Sequence, residues 1–201
     1  MSKHVFKQED QVDSLSSKIV VGLQRISEAF KVLLWEKAKE FGLSPIQIQI
    51  LIFIAYHKEE FRNVSYLAKE FNVTKPTVSD AIKVLEKKGM IVKDYSSSDN
   101  RRYSIFLSDD GKDIVSKTEN FVNPIKKELD NISNQEQENI FATLSSLIYQ
   151  LNQKGILTVQ RTCFACKFYA QHQNQDYCNL LQKELLNSDI RLDCAEFESA
   201  S

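Results

Sequence analysis

Apolar residues in the first part of the chain fall at helical spacing. Leu15, Ile19, Leu23, Ile26, Phe30 and Leu34 follow one another at three- and four-residue steps, and Phe41 continues the series. That pattern predicts one long helix over residues 11–41 with a single apolar stripe. Gly42 is placed to end it. Ser44-Pro45 then offers an N-cap and a proline for a first helical turn. The run up to Tyr56 is apolar on more than one side (Ile46, Ile48, Ile50, Leu51, Ile52, Ile54), so a buried core helix is expected there. A short helix from Asn63 or Val64 to Phe71 follows, then a tight turn at Asn72-Val73. A second helix is expected from Lys75 to about Lys88, capped by Thr74, with Pro76 in its first turn and Gly89 as its stop. Val78, Ile82 and Leu85 make its inner stripe.

Two short strands, residues 90–95 and 102–107, flank a polar hairpin tip over residues 96–101. Ser108 is expected to cap a helix running past Gly111, with Ile114, Thr118, Phe121, Ile125 and Leu129 on one face and a kink at Pro124. A last long helix opens at Ser133 or Asn134, carries Ile140, Leu144, Leu147, Ile148 and Leu151 on one side, and ends at Gly155. The expected class is mainly α with a small β-hairpin. Only 5 glycines and 3 prolines in 201 residues agree with long helices.

An apolar content of 42% suffices for one domain plus a small appendage. No run of about 18 uncharged apolar residues is present, so no membrane span is expected. Polar sequence follows Met1-Ser2-Lys3-His4 without an apolar segment, so a cytoplasmic chain is expected. The net charge of −1, taken whole, argues against a polyanionic partner, but its distribution reverses that. Residues 1–60 are neutral, residues 61–104 carry 9 basic and 5 acidic groups (net +4), residues 105–155 are net −3 and residues 156–201 net −2. A polyanion responds to the local field, so the basic segment is the candidate nucleic-acid surface.

Helix, short helix, tight turn, helix and hairpin, in that order, is the arrangement of a winged helix-turn-helix. The second helix of such a motif lies in the DNA major groove with its first outward side chains at base edges. Thr74, Lys75, Thr77, Ser79, Asp80 and Lys83 are the candidates for that contact. Arg101 and Arg102 at the hairpin tip suit a minor groove, with Asp99 to hold an arginine in place.

The stretches LSPIQIQIL, VSYLAKEFNVTKPTVSDAIKVLEKKGMI and SSDNRRYSIFLSDDGKDIV together resemble the MarR family of bacterial transcription regulators. The wing carries most of the likeness: Asp99, Arg101, Arg102, Leu107 and Gly111 stand at the family's anchors, with Ser108 where threonine is commoner. The resemblance spans about residues 11–152. It implies a homodimer closed by the first and last helices, bound to a pseudo-palindromic operator, usually as a repressor. It also implies release by a small aromatic ligand, an oxidant or a metal. Phe30, Trp35, Phe41 and Tyr56 are the candidate effector pocket, the alternative being that they are core. The expected organisation is a dimerisation helix (1–42), a DNA-binding domain (43–108), two further dimerisation helices (109–155) and a cysteine-rich tail (156–201).

All four cysteines lie in that tail, as Cys163-x2-Cys166-x11-Cys178-x15-Cys194. Reduced thiols in this spacing fit one tetrahedral metal site with sulfur at about 2.3 Å. Zn²⁺ is the expected ion. An iron–sulfur cluster on the same ligands and a thiol redox switch are the alternatives. An iron–sulfur or thiol redox enzyme on a helical scaffold is the rival reading of the whole chain. With no Gly-rich phosphate loop and no His-Glu-x-x-His, an enzyme is not expected.

Overall fold

The computed structural model describes residues 4–95, 103–173 and 175–200. Helix α1 is a single turn, Gln8–Gln11, and α2 runs Leu15–Glu40. The one helix expected over residues 11–41 therefore starts later, and the reason is a cap. The Ser14 hydroxyl accepts a bond from the Ser17 N–H at 3.2 Å, which fixes Ser14 as the residue before the helix.

Helix α3, Pro45–Tyr56, sits at the centre. A reciprocal Ser44–Gln47 capping box opens it, with the Gln47 side-chain oxygen accepting from Ser44 N–H at 2.9 Å. Ile48, Ile50, Leu51, Phe53 and Ile54 are buried, so α3 is covered on several sides at once. It packs against α2, α5 (Lys75–Lys87), strand β2 (Ser104–Leu107) and α6 (Asp109–Thr118). Around it lie Leu67 from α4 (Val64–Glu70), Val78, Ile82 and Leu85 from α5, Ile91 from β1 (Ile91–Asp94), Ile105 from β2 and Val115 from α6.

The stretch expected as one kinked helix after Ser108 is two helices. Helix α6 ends at Thr118, a 3₁₀ turn spans Glu119–Val122, and α7 begins afresh as Asn123–Asp130. Pro124 falls in the first turn of α7, where its missing N–H costs nothing; inside a continuous helix it would break the ladder. Helix α8, Asn134–Gln153, opens with a Ser133–Glu136 capping box.

The tail folds into a small antiparallel sheet, β3 (Tyr169–His172), β4 (Gln175–Cys178) and β5 (Lys183–Leu185), in that spatial order. Its buried apolar side chains among the described residues are Leu185 and Ile190. No single helix among the described residues is long and apolar enough to cross a membrane.

Candidate nucleic-acid interface

The reading unit is built outward from α4 and α5. Asn63 caps α4, accepting from Tyr66 N–H at 3.0 Å. At the far end Asn72 takes a left-handed conformation (φ +50°), which asparagine tolerates, and Val73 N–H reaches back to the Ala68 carbonyl at 3.0 Å. This closes the turn in few residues and starts α5 at once. Thr74 caps α5: its hydroxyl accepts from Thr77 N–H at 3.3 Å and pairs with the Thr77 hydroxyl at 2.8 Å.

The buried stripe of α5 is Val78, Ala81, Ile82 and Leu85. That fixes the helix's rotation and turns Lys75, Thr77, Asp80 and Lys83 to solvent, with Ser79 half-buried. Of the expected set, Thr74 is engaged in capping, and Asp80 accepts from the Lys83 ammonium at 3.1 Å on the open face. Lys75 and Thr77 lead the group at the positive end of the helix dipole, which favours a phosphate nearby.

The wing is pinned beside this face. β1 and β2 pair antiparallel from Ile91–Leu107 to Asp94–Ser104. Lys93 reaches the Glu86 carboxylate of α5 at 2.6 Å and lies 5.0 Å from the Tyr103 ring centre. Burial is the largest single influence and works against the Lys93 charge, but the Glu86 bond and the attraction of Glu86, Tyr103 and Tyr95 together hold the ammonium above its usual value. At the base of the wing a Cβ on Gly111 would stand 2.0 Å from the Met90 carbonyl oxygen, so only glycine lets α6 start so close to β1. The Ser108 hydroxyl donates to the Gly89 carbonyl at 2.6 Å and accepts from Gly111 N–H at 3.1 Å, tying hairpin, α5 and α6 together. Asp99, Arg101 and Arg102 lie outside the described residues.

Of the effector candidates, Phe41 packs on the core, while Phe30, Trp35 and Tyr56 are exposed. Tyr56 donates to the Glu119 carboxylate, a bond that raises its hydroxyl pKa.

The second candidate region is the tail. Cys163, Cys166, Cys178 and Cys194 are free, half-buried and line one cavity of about 280 Å³, together with Phe168, Leu181 and Ile190. Burial pushes the Cys163 thiol up, the Arg191 N–H opposes this, and the other three sulfurs add to the rise. Among the described residues no group of three or more His, Cys, Asp or Glu side chains stands in metal-binding geometry.

A network that no spacing or motif foreshadows joins this tail to α3 and α4. The Arg161 side chain is 8% exposed. It forks onto Asp193 at 2.5 and 3.0 Å and onto Glu70 of α4 at 2.8 and 3.2 Å, and it donates to the Tyr66 hydroxyl at 2.7 Å. His57, stacked on Phe53 at 3.7 Å, completes it with a 2.8 Å contact to Asp193. The His57 and Arg161 bonds hold the Asp193 carboxyl well below its usual range against the opposing effect of burial. The one available signal was position: Arg161 and Asp193 stand just before the first and last cysteines and form a parallel bridge.

Residues 41–102 match the sequence profile of the MarR family. The HTH-type transcriptional repressor YetL of Bacillus subtilis is 25% identical over 157 residues, covering 75% of this chain and 92% of its own. The regulator SarZ of Staphylococcus epidermidis is 26% identical over 110 residues, 55% of this chain and 72% of its own. Among solved structures, the S. aureus MepR–DNA complex superposes with a TM-score of 0.58 at 25% identity, covering 66% of this chain and 97% of MepR. About a third of this chain thus has no counterpart in MepR.

Proposed function

We propose that this chain, a MarR-family winged helix-turn-helix transcription regulator and not an enzyme, acts as a homodimeric repressor. Helix α5 would read an operator major groove and the wing would enter the adjoining minor groove. The observation that carries the reading is the rotation of α5. Its buried stripe leaves Lys75, Thr77 and Lys83 on the open face of the net-positive segment, beside a hairpin pinned to the same helix. The likeness to a protein solved on DNA supports it.

Dimerisation is supported by α2 and α8. Helix α2 has 26 residues and buries only Leu34 and Ala38; Leu15, Ile19, Leu23, Ile26 and Phe30 are 37–73% exposed along one stripe. Helix α8 has 20 residues and buries only Ser145, leaving Ile140 and Leu147 exposed. Apolar stripes of this length seek a partner, and a second copy supplies the same two stripes. A small aromatic effector would stack on Trp35 and Tyr56, both open to solvent in the single chain.

The test is a mobility-shift titration at fixed salt on DNA from the chain's own upstream region, with the assembly state measured by sedimentation. Wild-type protein is expected to be a dimer and to retard the fragment. Arg101→Ala is expected to weaken binding more than about tenfold without changing the dimer. A monomer that retards no upstream fragment would contradict the reading.

A further inference from the structure

We propose that Cys163, Cys166, Cys178 and Cys194 form one four-thiolate site for a single Zn²⁺-type ion, and that the filled site docks the tail onto helix α4 through Asp193 and Arg161. The site does not rest on the DNA-binding reading; it concerns a part of the chain outside the matched family region.

Three observations lead to it. First, the tail lacks the means to hold itself. Its strands are three or four residues long, and Leu185 and Ile190 are its buried apolar side chains among the described residues. Two such side chains fall far short of the ordering cost of a segment of this length, and small modules of this kind need a staple.

Second, separate pieces of chain deliver the four sulfurs to one cavity. Cys163 and Cys166 come from a 3₁₀ turn closed by Cys166 N–H to the Cys163 carbonyl at 3.0 Å. Cys178 comes from the end of β4, opposite Tyr169 and Lys183 in the sheet, and Cys194 from the loop after Ile190. The Cys163 and Cys194 segments are laced together, Cys163 N–H bonding to the Arg191 carbonyl and Cys194 N–H to the Arg161 carbonyl, each at 3.1 Å. Phe168, Leu181 and Ile190 give this cavity an apolar side.

Third, donors are already aimed at sulfur. The Arg191 N–H points at the Cys163 sulfur at 3.2 Å, and its guanidinium lies 3.8 Å from the Cys194 sulfur. Lys183 lines the same cavity. Four thiols release four protons on binding M²⁺, leaving a centre of net charge −2; the Arg191 cation offsets part of it, while Lys183 is paired with Asp189 at 2.8 Å in the same lining. The ion would draw sulfurs that now share a cavity to a common distance of about 2.3 Å.

The docking half follows from chain adjacency. Cys194 is bonded to Asp193, and Arg161 lies two residues before Cys163. Fixing both cysteines fixes Arg161, which grips Glu70 of α4, and Asp193, which holds Arg161 in place and contacts His57. Two further contacts lie alongside: the Thr158 hydroxyl donates to the Lys69 carbonyl at 2.6 Å, and Lys58 pairs with Glu196 at 3.6 Å.

The test uses the full chain, reduced and stripped with a chelator, then titrated with Co²⁺ alone. One equivalent per chain is expected, with the strong visible bands of tetrahedral sulfur ligation, displaced by one equivalent of Zn²⁺. Cys178→Ser is expected to weaken Co²⁺ binding by more than the roughly 10–100-fold that outer-shell changes cost. Amide exchange over residues 64–70 is expected to speed up on stripping. Arg161→Met is expected to keep the Co²⁺ bands yet lose that protection, which separates docking from ligation. No bands, weak octahedral bands, cysteines isolated as disulfides, or a brown iron–sulfur chromophore would overturn the site. Exchange in residues 64–70 that ignores metal would overturn the docking.

Discussion

The DNA-binding lobe and the tail solve the same problem by opposite means. The lobe wraps α3 in apolar side chains from six neighbouring elements, so its polar face is free for other work. The tail buries two apolar side chains and instead gathers four thiols and a buried arginine held by two carboxylates. Apolar burial is non-directional and additive, so the lobe tolerates local damage in proportion to area. Directional contacts are all-or-nothing, because each lost partner strands another polar group. The lobe is therefore expected to unfold as a unit, and the tail to release as a unit before it.

The largest expected effect that sharpens this contrast is Leu85→Ala. Leu85 is fully buried in the lobe, and its loss should cost about 2–5 kcal/mol in a single global transition. Leu185→Ala in the tail should leave the main transition within about 1 kcal/mol, because the tail detaches first. Calorimetry of the two variants separates them, and equal shifts would break the contrast. Next is Gly111→Ala, whose added carbon meets the Met90 carbonyl and forces α6 off β1 at about 1–3 kcal/mol. Arg161→Met should cost about 1–3 kcal/mol, felt as local opening of the tail, because Glu70 and Asp193 lose their shared cation. Hydrogen exchange localises that loss. Lys75→Ala should leave the melting temperature unchanged and lower the slope of log affinity against log salt by about 1.8, about 0.9 for each of the two Lys75 side chains of a bound dimer.

The smallest expected effect concerns acid. The Ser133 hydroxyl and N–H hold the Glu136 carboxyl below its ordinary value. That contribution to α8 is present above the unfolded carboxyl range, about pH 4, and is lost as pH falls through the lower folded value. Ser133→Ala, which loses the hydroxyl and keeps the N–H, should reduce this part of the acid dependence, read by helicity from pH 5 to 2.

Most of the lobe was legible because its signals are local. Thr74, Pro76 and Gly89 bound α5, and the Val78–Ile82–Leu85 spacing sets its outward face before any packing is known. Pro124 was read as a kink and turned out to be a start, because the periodicity on either side of it continues in phase. The tail sheet was not legible: strands of three and four residues carry too little alternation to register. The Arg161 fork could not be found from spacing, since its partners lie 91 residues before it and 32 after it, and no period links them.

Helix α5 and its wing are expected to read DNA as a symmetric pair. Hydroxyl-radical footprinting of the bound upstream fragment asks this directly. The account predicts two matching protected patches related by a dyad and centred about one helical turn, 10–10.5 base pairs, or a multiple apart, each with a flanking protection from the wing. A single patch, or uniform weak protection along the fragment, would contradict it.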